Sequence, residues 1–212
     1  MADPIVRDGF ASLTLNSDSP PTIDRSGATV VMDFLTKAIL SGHGFQTRLG
    51  VLTTPVTGDV EVTTVAAEAS ADSITGLTLI PIRFHFNLEA LGGTLPQASV
   101  KMTATASTAG TAFIPLPLLV GGPEAASFGH TARAAAAGGV TVVTDAATTT
   151  RSIYSITQAA AGNFEGDVSL FGRGAVSGAG NVYVAVGSVS TGSTYFAALD
   201  VLAIPSSRLG GV

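Results

Sequence analysis

The segment ITGLTLIPIRFHFNLEA (74–90) constrains this chain more than any other. Within it Ile80, Ile82, Phe84, Phe86 and Leu88 fall on one parity, and Pro81, Arg83, His85 and Asn87 on the other. Side chains alternate across a strand with period two, so the spacing predicts a long half-buried β-strand. The apolar row faces a core, and the Arg83–His85–Asn87 row forms a solvent face or a subunit contact. Pro81 has no N–H to give a ladder, which points to an edge or a bulge at that position.

The rest of the chain follows in kind. FQTRLGVLTT (45–54) groups Phe45, Thr47, Leu49 and Val51, and DVEVTTVAA (59–67) follows a TGD turn. ASVKMTATA (98–106) sets Val100, Met102 and Ala104 against Lys101 and Thr103. RSIYSIT (151–157), EGDVSLFGRG (165–174), NVYVAVGSVS (181–190) and TYFAALDVLAIP (194–205) complete the strand pattern, with GFASLTL (9–15) and GVTVVT (139–144) as shorter candidates. About ten short strands punctuated by Gly, Pro, Asn and Asp predict an all-β fold, an antiparallel β-sandwich of jelly-roll-like kind. No βαβ alternation is present, which disfavours a doubly wound sheet.

One or two short helices are expected. In GATVVMDFLTKAILSG (27–42), Val30, Val31, Phe34, Leu35, Ala38 and Ile39 form one helical stripe. Asp24 or Ser26 would cap it and Gly42 would stop it; the rival reading is a Val-rich strand at 28–32. The Ala run within AASFGHTARAAAAGG (125–139) suits a second short helix. Residues 1–27 read as an arm and a Pro-rich linker, and 28–212 as a single β-sandwich domain with a helix near 28–41.

Composition narrows the function. Of 212 residues only 12% are charged, about half the usual share, while 46% are hydrophobic and 6% aromatic. The apolar content is therefore Ala, Val, Leu and Ile, diluted by 25 Gly. A surface so poor in charge is weakly protected against association, so much of it is expected to lie against copies of the chain or other partners. The ten basic residues are scattered from Arg7 to Arg208 and the net charge is −5, so no cationic face for nucleic acid is expected. The longest apolar run, FIPLPLLV (113–120), is too short for a membrane helix and is broken by Pro115 and Pro117. With no cysteine, disulfides and Cys-based zinc sites are excluded. The opening MADPIVRDGF has no apolar core of a secretory signal.

Candidate sites are sparse. His43 and His130 sit beside glycines and read as polar loop or interface residues; His85 reads as an outward strand residue, with Arg83 disfavouring its charged form. No nucleophile-elbow motif accompanies them. Asn163, Glu165 and Asp167 stand at i, i+2 and i+4, where their oxygens share a side and suit calcium, but without the spacing of a known calcium loop. FGRGAVSGAG (171–180) lacks the Gly-Lys-Ser/Thr of a phosphate loop and precedes a strand, so it reads as a flexible hairpin connection with Arg173 as a contact residue. IPLPLL (114–119) suits an edge against a neighbour or a crossover between sheets. No catalytic residue, cofactor or metal is assigned, and the chain is expected not to be an enzyme.

An Ala/Gly/Thr/Val-rich chain with no cysteine, few charges, many short strands, an N-terminal arm and the terminal strand YFAALDVLAIP resembles the virion structural proteins of tailed bacteriophages and other β-sandwich capsid proteins. The resemblance spans most of the chain. It implies a rigid building block, made in the host cytoplasm and assembled into a virion with other virion proteins, as trimers or larger rings of itself. Genome-contacting shell proteins carry a basic arm, whereas residues 1–27 set Arg7 and Arg25 against Asp3, Asp8, Asp18 and Asp24. A capsid or decoration (cement) subunit fits this balance; a tail-tube subunit, with the 27–42 helix beside the sandwich, is the alternative. A carbohydrate-binding surface sandwich is a further one, although sugar stacking would rest on Tyr154, Tyr183 and Tyr195 with Trp absent.

Overall fold

The computed structural model describes residues 33–50, 67–90, 96–128, 131–134, 150–157, 164–187 and 194–209, with the short pieces 22–23, 29–30 and 56–57. In chain order the elements are β1 (Thr22–Ile23), β2 (Thr29–Val30), α1 (Phe34–Leu40), β3 (Gly44–Leu49), β4 (Val56–Thr57), β5 (Ala69–Asp72), β6 (Leu77–Ala90) and β7 (Gln97–Thr103). Then follow β8 (Thr111–Phe113), β9 (Leu116–Pro117), β10 (Thr131–Ala134), β11 (Thr150–Thr157), β12 (Phe164–Ser169), β13 (Val176–Ser177), β14 (Asn181–Gly187) and β15 (Thr194–Pro205). Two antiparallel sheets form an all-β sandwich. One runs β11-β7-β14-β5-β10-β8; the other runs β12-β6-β15-β3-β9, with β13 added to β6 and β4 to β15.

The two longest strands, β6 and β15, pair from Thr194↔Ala90 to Pro205↔Leu77 in the middle of the second sheet. The register steps from Asp200↔Arg83 to Val201↔Pro81, which leaves Ile82 as an extra residue on β6. A bulge of this kind reverses the facing of everything beyond it. Leu77 and Leu79 point into the sandwich before it, and Phe84, Phe86 and Leu88 after it. Ile80 and Ile82 point the other way. They join Leu202 and Ile204 in a second, smaller core under α1, closed by Phe34, Leu35, Ala38, Ile39, Leu118 and Leu209. The single apolar row expected from parity is thus divided between two cores on opposite faces of one sheet. Pro81 adjoins the bulge of an interior strand, a position that tolerates it.

Between the sheets, size is divided unequally. The first sheet contributes mostly small groups, Ala69, Ala71, Ala98, Val100, Val182, Val184 and Val186, with Met102 and Tyr154 as larger ones; the second contributes most of the large groups, Phe45, Phe84, Phe86, Phe164, Tyr195 and Leu199. The rings pack on one another, with centroids 5.1 Å apart for Phe84–Phe86 and 5.0 Å for Phe86–Phe164. Gly166, opposite Phe86 on β12, makes room for this cluster: a Cβ there would lie 2.6 Å from Phe86 Cε1. Few aromatics therefore suffice for a dense core, because small residues face large ones.

The helix is shorter than its stripe predicts. It covers Phe34–Leu40, and Asp33 caps it rather than Asp24 or Ser26: the Thr36 N–H donates to Asp33 Oδ1 at 2.9 Å. Thr29–Val30 instead pairs antiparallel with Thr22–Ile23. β-Branched residues favour extended backbone, and the Asp33 side chain accepts the first free helical N–H, so the helix begins there. Gly42 ends it as expected, with φ +78°; a Cβ would also come 2.5 Å from Pro123 Cδ. Two further segments form strands. ASAD (69–72), with poor strand formers, is a fully buried strand between β14 and β10. TARA (131–134), in the ambiguous 125–139 stretch whose Ala run suits a short helix, is the strand β10, which pairs with both β5 and β8. In both, pairing and burial override intrinsic preference. The candidates at 9–15, 59–66 and 139–144, and most of the arm, lie outside the described residues.

Phe84→Ala empties the centre of the sandwich and is expected to cost about 3–5 kcal/mol in chemical denaturation. His85→Ala, on the opposite face, is expected to cost under about 1 kcal/mol. Gly166→Ala, forced against Phe86, is expected to cost about 1–3 kcal/mol in the same assay.

Candidate functional site

Beyond the bulge, the outer face of the second sheet changes from apolar to polar. β6 turns Arg83, His85 and Asn87 outward, and β12 beside it turns out Glu165, Asp167 and Ser169. The register sets Glu165 opposite Asn87, Asp167 opposite His85 and Ser169 opposite Arg83. Two candidates from separate stretches of sequence therefore meet. Arg83 clasps Asp167 with both arms, its Nε donating to Oδ1 at 2.7 Å and its terminal nitrogen to Oδ2. Asn87 Nδ2 donates to Glu165 Oε2 at 3.2 Å. The charge that Arg83 brings to the row is matched by Asp167, which also faces His85. Glu165 and Asp167 share a side as expected, but their oxygens serve Asn87 and Arg83. Among the described residues, no group of three His, Asp or Glu side chains is placed to hold a metal ion. Asn163 lies outside them.

On the other flank, Asp200 of β15 stands opposite Arg83 on β6 and Gln46 on β3. It is buried, and Gln46 Nε2 donates to its Oδ1 at 2.8 Å. Burial pushes the Asp200 carboxyl up from its ordinary pKa, against the pull of Gln46 and Arg83. The hydrogen bonds from Arg83 hold Asp167 down instead. The face thus carries two carboxylates displaced in opposite directions, with the His85 ring lying against Phe196 at 5.4 Å. Separated acids of this kind are what proton transfer needs. Here, however, the Asp167 oxygens are held by Arg83. Asp200 was not singled out in the sequence, although a lone acid within AALDVLAIP is a legible sign of a buried carboxylate.

The other candidates are structural. His43 is buried at the start of β3; its Nδ1 lies 3.0 Å from the Ala203 carbonyl and its Nε2 3.1 Å from Arg208. A guanidinium only donates, so Nε2 is the acceptor and Nδ1 carries the hydrogen. Burial lowers the His43 pKa, and the Arg208 charge adds to this against the Ala203 carbonyl. The ring is a neutral tie between β3 and the end of β15, where a polar loop residue was expected. His130 lies outside the described residues.

The glycine-rich 171–180 segment crosses between the sheets rather than forming a simple hairpin, and its Val176–Ser177 pairs with β6. A Cβ on Gly174 would collide with the Met102 methyl, and one on Gly180 would meet the Thr103 carbonyl at 2.6 Å. These glycines answer to close packing, and Arg173 donates to the Ile153 carbonyl of β11 at 3.1 Å. A second buried polar group stands on the first sheet. Asp72 accepts from the Ser107 N–H at 3.1 Å and the Ser107 hydroxyl at 2.7 Å, pinning the loop after β7. Glu68 accepts from the Val186 N–H at 2.8 Å.

IPLPLL lies where β8, at the edge of the first sheet, hands the chain to β9, at the edge of the second. Among the described residues the stretch is a crossover between the sheets and ends at an edge strand. No helix among the described residues is long and apolar enough to cross a membrane. No protein-family model, curated protein or solved structure matches the chain.

The two acids predict opposite pH behaviour. The Asp167 pair stabilises above the ordinary carboxylate pKa and is lost as pH falls through its lowered value. The raised Asp200 pKa means that its ionised form costs stability, a cost that grows as pH rises through that value and vanishes in acid. In thermal melts, Asp167→Asn is expected to lower the midpoint at pH 7, through a loss of up to about 1 kcal/mol of stability. Asp200→Asn, which keeps an acceptor for Gln46, is expected to raise it at pH 7 and to change little at pH 3.

Proposed function

We propose that this chain is a non-enzymatic structural subunit of a virus particle, a capsid or capsid-decorating protein that assembles with copies of itself and with other virion proteins. The assembly part of the reading rests on one observation. Of the large apolar side chains that stand in solvent, Ile114, Leu116 and Val120, at 54%, 56% and 95% exposed, fall within one short stretch. Monomers seldom leave such side chains grouped and unprotected by charge. The virion part rests on the composition and strand pattern that the chain shares with β-sandwich capsid proteins. The polar face agrees with a structural role, since its Arg, Asp, Asn and Glu side chains are held by one another across β6 and β12.

A tail-tube subunit is the second reading, favoured by α1, a single helix packed on the outer face of one sheet. Sedimentation and negative-stain electron microscopy of the purified full chain separate the two. A capsid or decoration role predicts discrete trimers or rings, and a tube role predicts rings that stack. A protein that stays monomeric at all concentrations tested would overturn both.

A further inference from the structure

We propose that His43 and Arg208 form an acid-sensitive latch, which holds Arg208 and Leu209 against the small core under α1 and releases them when the His43 ring takes a second proton. The latch does not depend on the assembly reading above.

His43 stands where three elements meet. Its N–H donates to the Ala38 carbonyl near the end of α1 at 3.0 Å, and its carbonyl accepts from the Ala203 N–H of β15 at 2.8 Å. The ring adds a second bond to β15, from Nδ1 to the Ala203 carbonyl at 3.0 Å, and one to Arg208 through Nε2 at 3.1 Å. The residue is only 2% exposed. Arg208 closes the single 3-10 turn Ser206–Arg208 that follows β15. Next to it, Leu209 packs on the small core alongside Phe34, Leu35 and Ile39 of α1. Among the described residues, two polar anchors hold this segment. Ser206 is one: its N–H donates to the Gly76 carbonyl at 2.8 Å, and its hydroxyl meets that of Thr78 at 2.9 Å. The His43–Arg208 contact, beside Leu209, is the other.

The second anchor exists only while the ring is neutral. The Ala203 carbonyl can only accept, so Nδ1 carries a hydrogen in either state of the ring. A proton added to the ring therefore goes to Nε2, the atom that accepts from Arg208. Nε2 then has no lone pair, and the guanidinium stays charged. Two donors and two positive charges would face each other at hydrogen-bond distance beside an apolar core. The ring is fixed by β3 and keeps its bond to Ala203, so the group that yields is Arg208, on one short turn. On the other elements packed here, Asp33 of α1 is engaged by Thr36 and Asp200 of β15 by Gln46. Lys37 of α1 and Arg48 of β3 are cationic, and Glu124, which follows the Pro123 packed near Gly42, is exposed. Once released, the ring returns toward its ordinary pKa of about 6.5. Docking is therefore complete above that value and weakens below it, by up to about tenfold per pH unit.

NMR of the full chain tests the latch. As pH falls from 7.5 to 5, the Leu209 methyl groups are expected to lose their contacts to the small core along the same curve that the His43 ring follows. The docked-to-released ratio falls by about fivefold or more, while the amides of β14 stay protected from exchange. Arg208→Gln, whose amide can donate to the neutral ring and accept from the charged one, is expected to raise the His43 midpoint and keep Leu209 docked at pH 5. Arg208→Met, which keeps the stem but not the charge, is expected to raise the midpoint as well. His85→Gln is expected to change neither curve. Leu209 contacts that persist after the ring is protonated would overturn the release. A His43 midpoint that neither Arg208 variant moves would overturn the role of Arg208. A ring that stays neutral until β14 itself opens would overturn the latch entirely. None of these outcomes bears on oligomeric state, so the latch and the assembly reading fail separately.

Discussion

The ladder between β6 and β15, with its bulge at Ile82 on β6, is the constraint on which this fold depends. Without the bulge at Ile82, Ile80, Ile82, Phe84, Phe86 and Leu88 would share one face, with Leu77 and Leu79 on the other. With it, the same strand fills the sandwich at both ends and supplies Ile80 and Ile82 to the patch that seats α1. β15 keeps one parity throughout, Tyr195 to Ala203 inward, and so acts as the straight reference against which β6 changes face. The position of the bulge also fixes where the outer surface turns from apolar to polar. Helix seat and polar face are two outcomes of one register step.

Scarcity of charge shapes the rest. With few ionisable groups, several of those near the sheets are held in defined hydrogen bonds: Arg83 with Asp167, Gln46 with Asp200, Ser107 with Asp72, and the Val186 N–H with Glu68. The exposed Arg83–Asp167 pair contributes little to stability, as surface pairs do, but cross-strand matching of this kind favours one register over its neighbours. The buried acids act more strongly as constraints, because a carboxylate displaced from its donor would stand in an apolar setting unpaired.

Much of the architecture was legible in the residues. β15 spans the whole of the predicted 194–205 run, the Phe34–Leu35–Ala38–Ile39 stripe is the face α1 buries, and Gly42 ends that helix. The strand at 69–72 was not legible, since Ala, Ser and Asp carry no strand signal of their own. It forms because neighbours on both sides give its backbone partners and its small side chains let both faces pack. The polar face was half legible. Its two rows each stood out, but Arg83 and Asp167 lie 84 residues apart in the chain, and nothing local joins them.

What the sequence determined by itself is therefore what rests on local periodicity: the all-β class, the apolar and polar rows, the helix stripe and the proline-barred segment at 114–119. Which core each half of β6 serves, which carboxylate meets Arg83, and which acid is buried were decided only by tertiary structure. The reason is physical. Alternation with period two is written in neighbouring residues, whereas a bulge exists only relative to the strand it pairs with, and a pKa only relative to the groups that folding brings within reach.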